Sequence, residues 1–500
     1  MILAIILLIF LSYLGLNVYI YHIRRQYRHI VSVQIPVGVV WFLGAMLDIR
    51  KRLVRLGEDK DGHDVFREYH TELGCDVFVI PIIRKNLVMC YKLSIMSRVL
   101  TDRSAFRKSE LFAKVFSHVG GTRIFGDHGL LNEPGTDLWA TKRKIMDPAF
   151  RKAFLRTTLN DLNRVANNLI NTLSNELYKD AFDVTNNLAK SALEAVSICG
   201  FAWDEDIVTK HVDEALNMAT VLLKTLALRF KSNTFEFPGF WRKEKYELNQ
   251  AVIPMRNALK NHLKYRIENA GANQKDDILS YIIKANMVSD VLTVEDIIDE
   301  YLVFVTAGME TTAITMAVAL FYLSTHPEIY KRVQDEVDVV YGSNDELSFD
   351  DVGKLVYLEM VVKECLRLKP PARSTTRQCM LDGIVVDEVA IPKGSIVILN
   401  YNELHIDPRY WENPLQFNPD RFASSKSITN YTYMPFSAGN RSCIGKSFAM
   451  LEAKVIVSKI IHQFNVINPQ PDVKDFPVTT KIVSKPRDGI FIKLLPRCKL

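Results

Sequence analysis

Phe436-Ser437-Ala438-Gly439-Asn440-Arg441-Ser442-Cys443-Ile444-Gly445 is the stretch on which the fold reading turns. Gly439 lets the chain turn through conformations closed to other residues. Arg441 places a positive charge two residues before the thiol. Cys443 precedes an apolar run, Ile444 to Phe464, that reads as a helix, so its sulfur is expected near a helix N-terminus. Both features favour the thiolate over the thiol. Phe436 is expected to shield the sulfur, and Gly445, lacking a side chain, leaves room for a flat group against the helix. Two other readings compete. Gly439 to Ser447 is close to a phosphate-binding loop, but that loop needs four residues between its glycines and this segment has five, with no buried strand leading in. An inert buried cysteine is the other reading.

Working outward, the chain has 500 residues, 48% hydrophobic and 24% charged, ordinary proportions for a globular protein with a sizeable core. Its net charge of +6 does not argue for nucleic acid and fits a membrane surface or an acidic partner protein. Seven scattered cysteines form neither a disulfide framework nor a zinc pattern, and they read as a reducing compartment.

Met1 to Ile23 carry no lysine, arginine or acid, and Arg24, Arg25 and Arg28 follow. A bilayer needs roughly 20 apolar residues. A cleavable signal carries its charge before the apolar run, the reverse of the order here. The expectation is a membrane anchor with the body of the chain in the cytosol. Ile35-Pro36-Val37-Gly38 reads as a linker.

Beyond it, Val77 to Ile80 and Leu87 to Met89 read as strands. Ser104 to Arg367 reads as mostly helical, broken as at Phe237-Pro238-Gly239. Short strands are expected near Ile384 to Val386 and Ser395 to Leu399. No break divides the body, which reads as one domain, mainly α with a small β portion. The longest helix is expected over Val294 to Ser324, with Thr293 as N-cap and Asp296 three residues on. At 1.5 Å per residue it spans about 45 Å. Its middle, Phe304 to Met316, is apolar apart from Thr306, Glu310, Thr311, Thr312 and Thr315. A second transmembrane span competes here, but a carboxylate at a bilayer centre costs roughly 2.5–3.5 kcal/mol. Gly308 and the threonines are expected to allow the helix to open locally. Glu364 and Arg367, three apart, share a helix face near Tyr357 to Leu368.

The decamer fits Phe-x-x-Gly-x-Arg-x-Cys-x-Gly at every fixed position, and the chain resembles the cytochrome P-450 family over about Pro36 to Arg497. The resemblance implies the P-450 fold preceded by one N-terminal transmembrane helix, with residues 1–23 as anchor, 24–45 as linker and 46–500 as a haem-binding monooxygenase domain. It implies haem b (iron protoporphyrin IX) with Cys443 as the iron ligand, and Phe436, Ala307 and Gly445 beside the haem. Trp139 and Arg143 match the family's Trp-x-x-x-Arg, and Arg377 and Arg441 match further contacts to the haem propionates. Ala307-Gly308-Met309-Glu310-Thr311-Thr312 resembles the oxygen-binding segment. There Thr311 would hydrogen-bond bound dioxygen or its water and Glu310 would resupply protons from solvent. Glu364, Arg367 and Arg421 match a structural ion-pair network that locks the cysteine loop. Ala307 stands where members with ester-linked haem carry glutamate, so no covalent link is expected.

Within the family, Asn430 to Glu452 and Leu368 to Arg377 look most like the microsomal cholesterol 24-hydroxylase type. That implies hydroxylation of a lipophilic substrate, a sterol side chain first, in the endoplasmic reticulum membrane, with electrons from NADPH through NADPH-cytochrome P-450 reductase. Lys142, Lys144 and Lys446 are candidates for meeting that partner. Substrate contacts are expected from Phe106 to Phe125, Phe201 to Trp241, Ala307, Thr311, Ala372 to Thr376 and Val478 to Thr480. The alternatives are a fatty-acid or xenobiotic hydroxylase, a member that rearranges peroxides, and a non-catalytic haem carrier or sensor. The last could dispense with the acid–threonine pair.

Overall fold

A computed structural model of the chain describes residues 2–32, 45–57, 62–82, 85–119, 121–135, 137–231, 241–269, 277–289, 291–424, 431–480 and 482–497. The Ile35 to Gly38 linker, the Phe237 to Gly239 break, Asn430 and Cys498 lie outside the described residues. Helix α1 runs Ile2–Arg25 and ends on Arg24 and Arg25. Its 24 residues measure about 36 Å.

The chain forms two compact units. The smaller comprises Met1–Glu110, Arg373–Pro414 and Thr429–Ser442. It is built on a five-stranded sheet of β1 (Val77–Ile82), β2 (Lys85–Cys90), β3 (Phe106–Arg107), β4 (Thr375–Cys379) and β5 (Ile396–Leu399), in the order β1-β2-β5-β4-β3. Only β2 and β5 are parallel, with Val397 opposite Val88. Successive strand residues point to opposite faces. Val79, Val88, Val397 and Leu399 therefore join one apolar cluster with Met96 and Leu100. Phe78, Ile80 and Met89 join another with Val65 and Tyr69. Burial on both faces explains why these strands read as continuous apolar runs.

The larger unit, Leu111–Ala372, Leu415–Ile428 and Cys443–Leu500, is mainly helical. Four helices matter to the site: α2 (Asp137–Met146), α3 (Val294–Thr325), α4 (Val356–Leu368) and α5 (Lys446–Gln463). Two strands, β6 (Val478–Thr480) and β7 (Ser484–Pro486), pair antiparallel beside them. The mostly helical stretch from Ser104 to Arg367 also contains β3 and three further small strands, His118–Val119, Thr122–Arg123 and Phe182–Asp183, whose two-residue length leaves no periodicity to read.

Helix α3 begins with the expected capping box: Thr293 Oγ1 accepts from Asp296 N–H at 3.1 Å, and Asp296 accepts in return from Thr293 N–H at 3.0 Å. It is long and apolar enough to cross a bilayer, but its apolar window is 78% buried inside the protein. Burial all round, against α4, α5 and the Thr185–Ala195 helix, accounts for its composition. Near its N-terminal end two acids are buried with partners. Asp299 pairs with Arg123 at 2.6 Å and Arg256 at 2.7 Å, and Glu300 lies 3.7 Å from Lys142.

Candidate active site

Cys443 stands three residues before α5 rather than one, because Ile444 and Gly445 form a turn and the helix begins at Lys446. Of the six described cysteines, four are buried and Cys75 is half-buried, while Cys443 is the exposed one. The backbone N–H groups of Gly445 and Lys446 point at its sulfur, and Arg143 adds its charge. The protein enclosing the sulfur nevertheless outweighs them and pushes the thiol up from its ordinary value. The N–H groups and the nearby positive charge act toward the thiolate, as the loop and helix terminus lead one to expect, while desolvation acts against them and is the largest effect. The charges acting on it are those of Arg143, which no sequence spacing ties to Cys443, and of Lys446, three residues on.

Gly445 has φ −81°, a conformation open to any residue. A Cβ there would meet only Cys443 Sγ, at 3.9 Å. The glycine therefore leaves space beside the sulfur, as a flat macrocycle requires. Gly439 is different. Its φ is +71°, and a Cβ would collide with the Leu100 carbonyl oxygen. Phe436 is half-buried on the approach to the loop. That approach is pinned where Met434 N–H donates to Nε2 of the buried His405 at 2.8 Å.

In the smaller unit, Arg377 lies on β4 and is only 3% exposed. It donates to Thr375 Oγ1 at 3.0 Å and to the Thr376 carbonyl at 2.8 Å, and among the described residues no carboxylate pairs with it. Burial pushes its guanidinium down to about 10. Lys108, which sequence reasoning missed, joins it: burial first, then the charges of Arg377 and Arg441, hold the Lys108 ammonium well below its ordinary range. A desolvated arginine accompanied by two further basic side chains fits an incoming dianion, and the two haem propionates have that chemistry.

In the larger unit, Trp139 is buried on α2. Arg143, one turn on, donates to Asp147 at 2.6 Å. Lys142 is 1% exposed and bonds the His128 carbonyl at 2.8 Å and Asp296 at 3.4 Å, so it cannot meet a partner protein. Lys144 and Lys446 are exposed.

Helix α3 is buried from Ile297 to Thr306, yet Ala307 is exposed and Gly308, Glu310 and Thr311 are partly so. Thr311 Oγ1 donates to the Ala307 carbonyl at 2.7 Å, leaving its lone pairs to accept from the open side. The expected local opening is absent: the segment is α-helical throughout. The back-bonding hydroxyl leaves the ladder intact, and Gly308 serves close packing, since a Cβ there would meet Val196 Cγ2 at 2.6 Å. Glu310 is tied to Lys485, 3.0 Å away.

Glu364 and Arg367 on α4 are both fully buried, with Arg367 Nε and Nη2 donating to the two carboxylate oxygens at 2.7 and 2.8 Å. Arg421 Nε adds a bond of 3.0 Å and Asn418 N–H one of 2.9 Å. Both arginines also reach the Gln416 carbonyl, at 3.3 Å each. What the network clamps directly is thus the Gln416–Arg421 segment.

The cytochrome P-450 family model matches residues 35–494. Cytochrome P-450 4V2 of Mus musculus is 29% identical over 450 residues, covering 84% of this chain and 83% of its own. Cytochrome P-450 3A31 of Mesocricetus auratus is 27% identical over 422 residues, covering 78% and 81%. The family's cofactor is haem b, and its members are monooxygenases. With a mainly helical body, a small sheet and a family match over nearly all of its length, the chain belongs to the cytochrome P-450 family.

Proposed function

We propose that the chain is a membrane-anchored haem-thiolate monooxygenase that hydroxylates a lipophilic substrate, a sterol side chain first, using dioxygen and electrons from NADPH delivered by NADPH-cytochrome P-450 reductase. The observation that carries this is Cys443: an exposed thiol among buried ones, with two backbone N–H groups at its sulfur and the open side of Gly445 beside it. Haem b bound through Cys443 supplies the redox chemistry, activating dioxygen and transferring one oxygen atom to carbon.

The remaining work falls to the chain. The N–H groups of Gly445 and Lys446 share the negative charge on the sulfur. Arg377, with Arg441 and Lys108, neutralises the propionates. Trp139 and Arg143 lie on α2 for the same purpose. Thr311 holds its own proton on the Ala307 carbonyl and accepts a water at Oγ1. Glu310, at the solvent edge of the same turn, replaces the protons consumed. Glu364, Arg367 and Arg421 are structural. Residues 1–23 anchor the domain of residues 46–500 on the cytosolic face of the endoplasmic reticulum, a reading supported by the length of α1 and the arginines at its end. The sterol preference rests on the likeness of the haem-proximal segments to the cholesterol 24-hydroxylase type.

The test is the reduced, carbon-monoxide-bound spectrum of purified protein, followed by a ligand-induced spin-shift screen of sterols, fatty acids and drugs. The best ligand is then assayed for product with reductase and NADPH. A thiolate-type Soret band that Cys443→Ala abolishes supports the ligand assignment, and its survival in that variant overturns it. Spin shifts confined to fatty acids or drugs replace the sterol assignment. A thiolate band without product from any ligand leaves the carrier or sensor reading.

A further inference from the structure

Lys485 Nζ donates to Glu310 Oε1 at 3.0 Å. Among the described residues it is the one cation paired with that acid. Glu310 is 15% exposed and Lys485 41%, so the pair sits where the open turn of α3 meets solvent. Lys485 belongs to β7, where its backbone faces Thr479 of β6. The strand pair is stiffened by Thr480 Oγ1 and Ser484 Oγ, 2.7 Å apart. Ser484 N–H donates to the Pro371 carbonyl at 2.7 Å, fixing β7 beside the end of α4.

A glutamate side chain has three rotors. One charge-assisted hydrogen bond selects which oxygen faces water and where the other points. We propose that Lys485 is the positioning residue of Glu310, and that it links the β6–β7 pair to proton delivery at Thr311. This rests on the reading of Glu310 and Thr311 given above. Because β6 (Val478–Thr480) is one of the segments assigned to substrate contact, a substrate pressing on β6 acts on the acid through one strand pairing and one ion pair. Arrival of the correct substrate and readiness of the proton source are thereby coupled.

The experiment compares the holoenzyme with Lys485→Met, Lys485→Arg, Glu310→Gln and the Lys485→Met/Glu310→Gln pair. Four quantities are read: product per NADPH, peroxide per NADPH, the solvent deuterium isotope effect and KM. Thermal unfolding of the same four proteins and wild type closes a double-mutant cycle that does not depend on turnover. Lys485→Met is expected to lower product per NADPH roughly two- to fivefold, the range of one partly exposed ion pair. Peroxide and the solvent isotope effect rise, and KM holds. Lys485→Arg restores the coupling, Lys485→Met has no further effect once Glu310 is glutamine, and the cycle gives a non-zero interaction. Normal coupling in Lys485→Met beside a Glu310→Gln that is uncoupled removes Lys485 and leaves Glu310 standing. Normal coupling in Glu310→Gln sinks the acid's role and this inference together. Should Lys485→Met fail to fold, Lys485→Gln takes its place in every comparison.

Discussion

Replacing Glu364 by glutamine keeps the shape of the side chain and removes its charge. Arg367 is fully buried and spends two N–H groups on that carboxylate, at 2.7 and 2.8 Å. Arg421, 11% exposed, spends one more at 3.0 Å. Glutamine keeps one carbonyl oxygen, enough for Asn418 N–H, but turns an N–H₂ toward a guanidinium that also only donates. Breaking a buried pair by removing one partner costs about 3–5 kcal/mol. Typical domains have only about 5–15 kcal/mol in total. Glu364→Gln is therefore expected to lose about a fifth or more of the stability. Urea unfolding followed by far-UV circular dichroism measures it, as a fall in midpoint at constant slope. The Glu364→Met/Arg367→Met/Arg421→Leu variant is expected to recover most of the loss, because it leaves no buried charge of the network without its partner. A Glu364→Gln protein within about 0.5 kcal/mol of wild type would refute the reasoning, since that is the spread of ordinary surface changes.

Three further outcomes follow. Gly439→Ala puts a Cβ at φ +71° and into the Leu100 carbonyl, so it is expected to cost upward of about 2 kcal/mol and to lower haem content, both read from purified protein; wild-type haem content would show the loop tolerating a side chain there. Burial pushes the Glu300 carboxyl up from 4.5 to about 7, so between those values the native state keeps a proton that the unfolded state releases. Its stabilising contribution is full below pH 4.5 and is lost as pH rises through 7, by about 3 kcal/mol. Glu300→Gln should flatten the thermal midpoint across that window, and an unchanged slope would assign the effect elsewhere. Thr311→Ala should keep haem and stability while sending more NADPH into peroxide; unchanged product per NADPH would take Thr311 out of the relay.

The parts of the fold written in local patterns were legible. The capping box at Thr293 and Asp296, the short apolar runs of β1 and β2 and the three-residue spacing of Glu364 and Arg367 are all patterns a few residues long. In the cysteine decamer the turn at Gly439 and the open side of Gly445 were legible because residue type alone marks a glycine. What escaped depends on neighbours remote in sequence. Nothing around Lys142 says that Glu300 and Asp296 will close over it. Lys108 and Lys485 are single lysines in short segments, with no period to mark them. At the Cys443 sulfur the N–H groups that follow it can be read along the chain, whereas Arg143 and the desolvation of the sulfur cannot.

Lys108, Arg377 and Arg441 gather basic groups in one corner of the smaller unit, where burial and the two arginines together make a charge on Lys108 costly. If the haem propionates are what that corner receives, a newly synthesised chain completes it most cheaply as the porphyrin seats, and maturation would be tied to pigment insertion. In a cell short of porphyrin, unfinished chains stay within reach of proteases. The abundance of this protein should then follow porphyrin supply, whatever the rate of its translation.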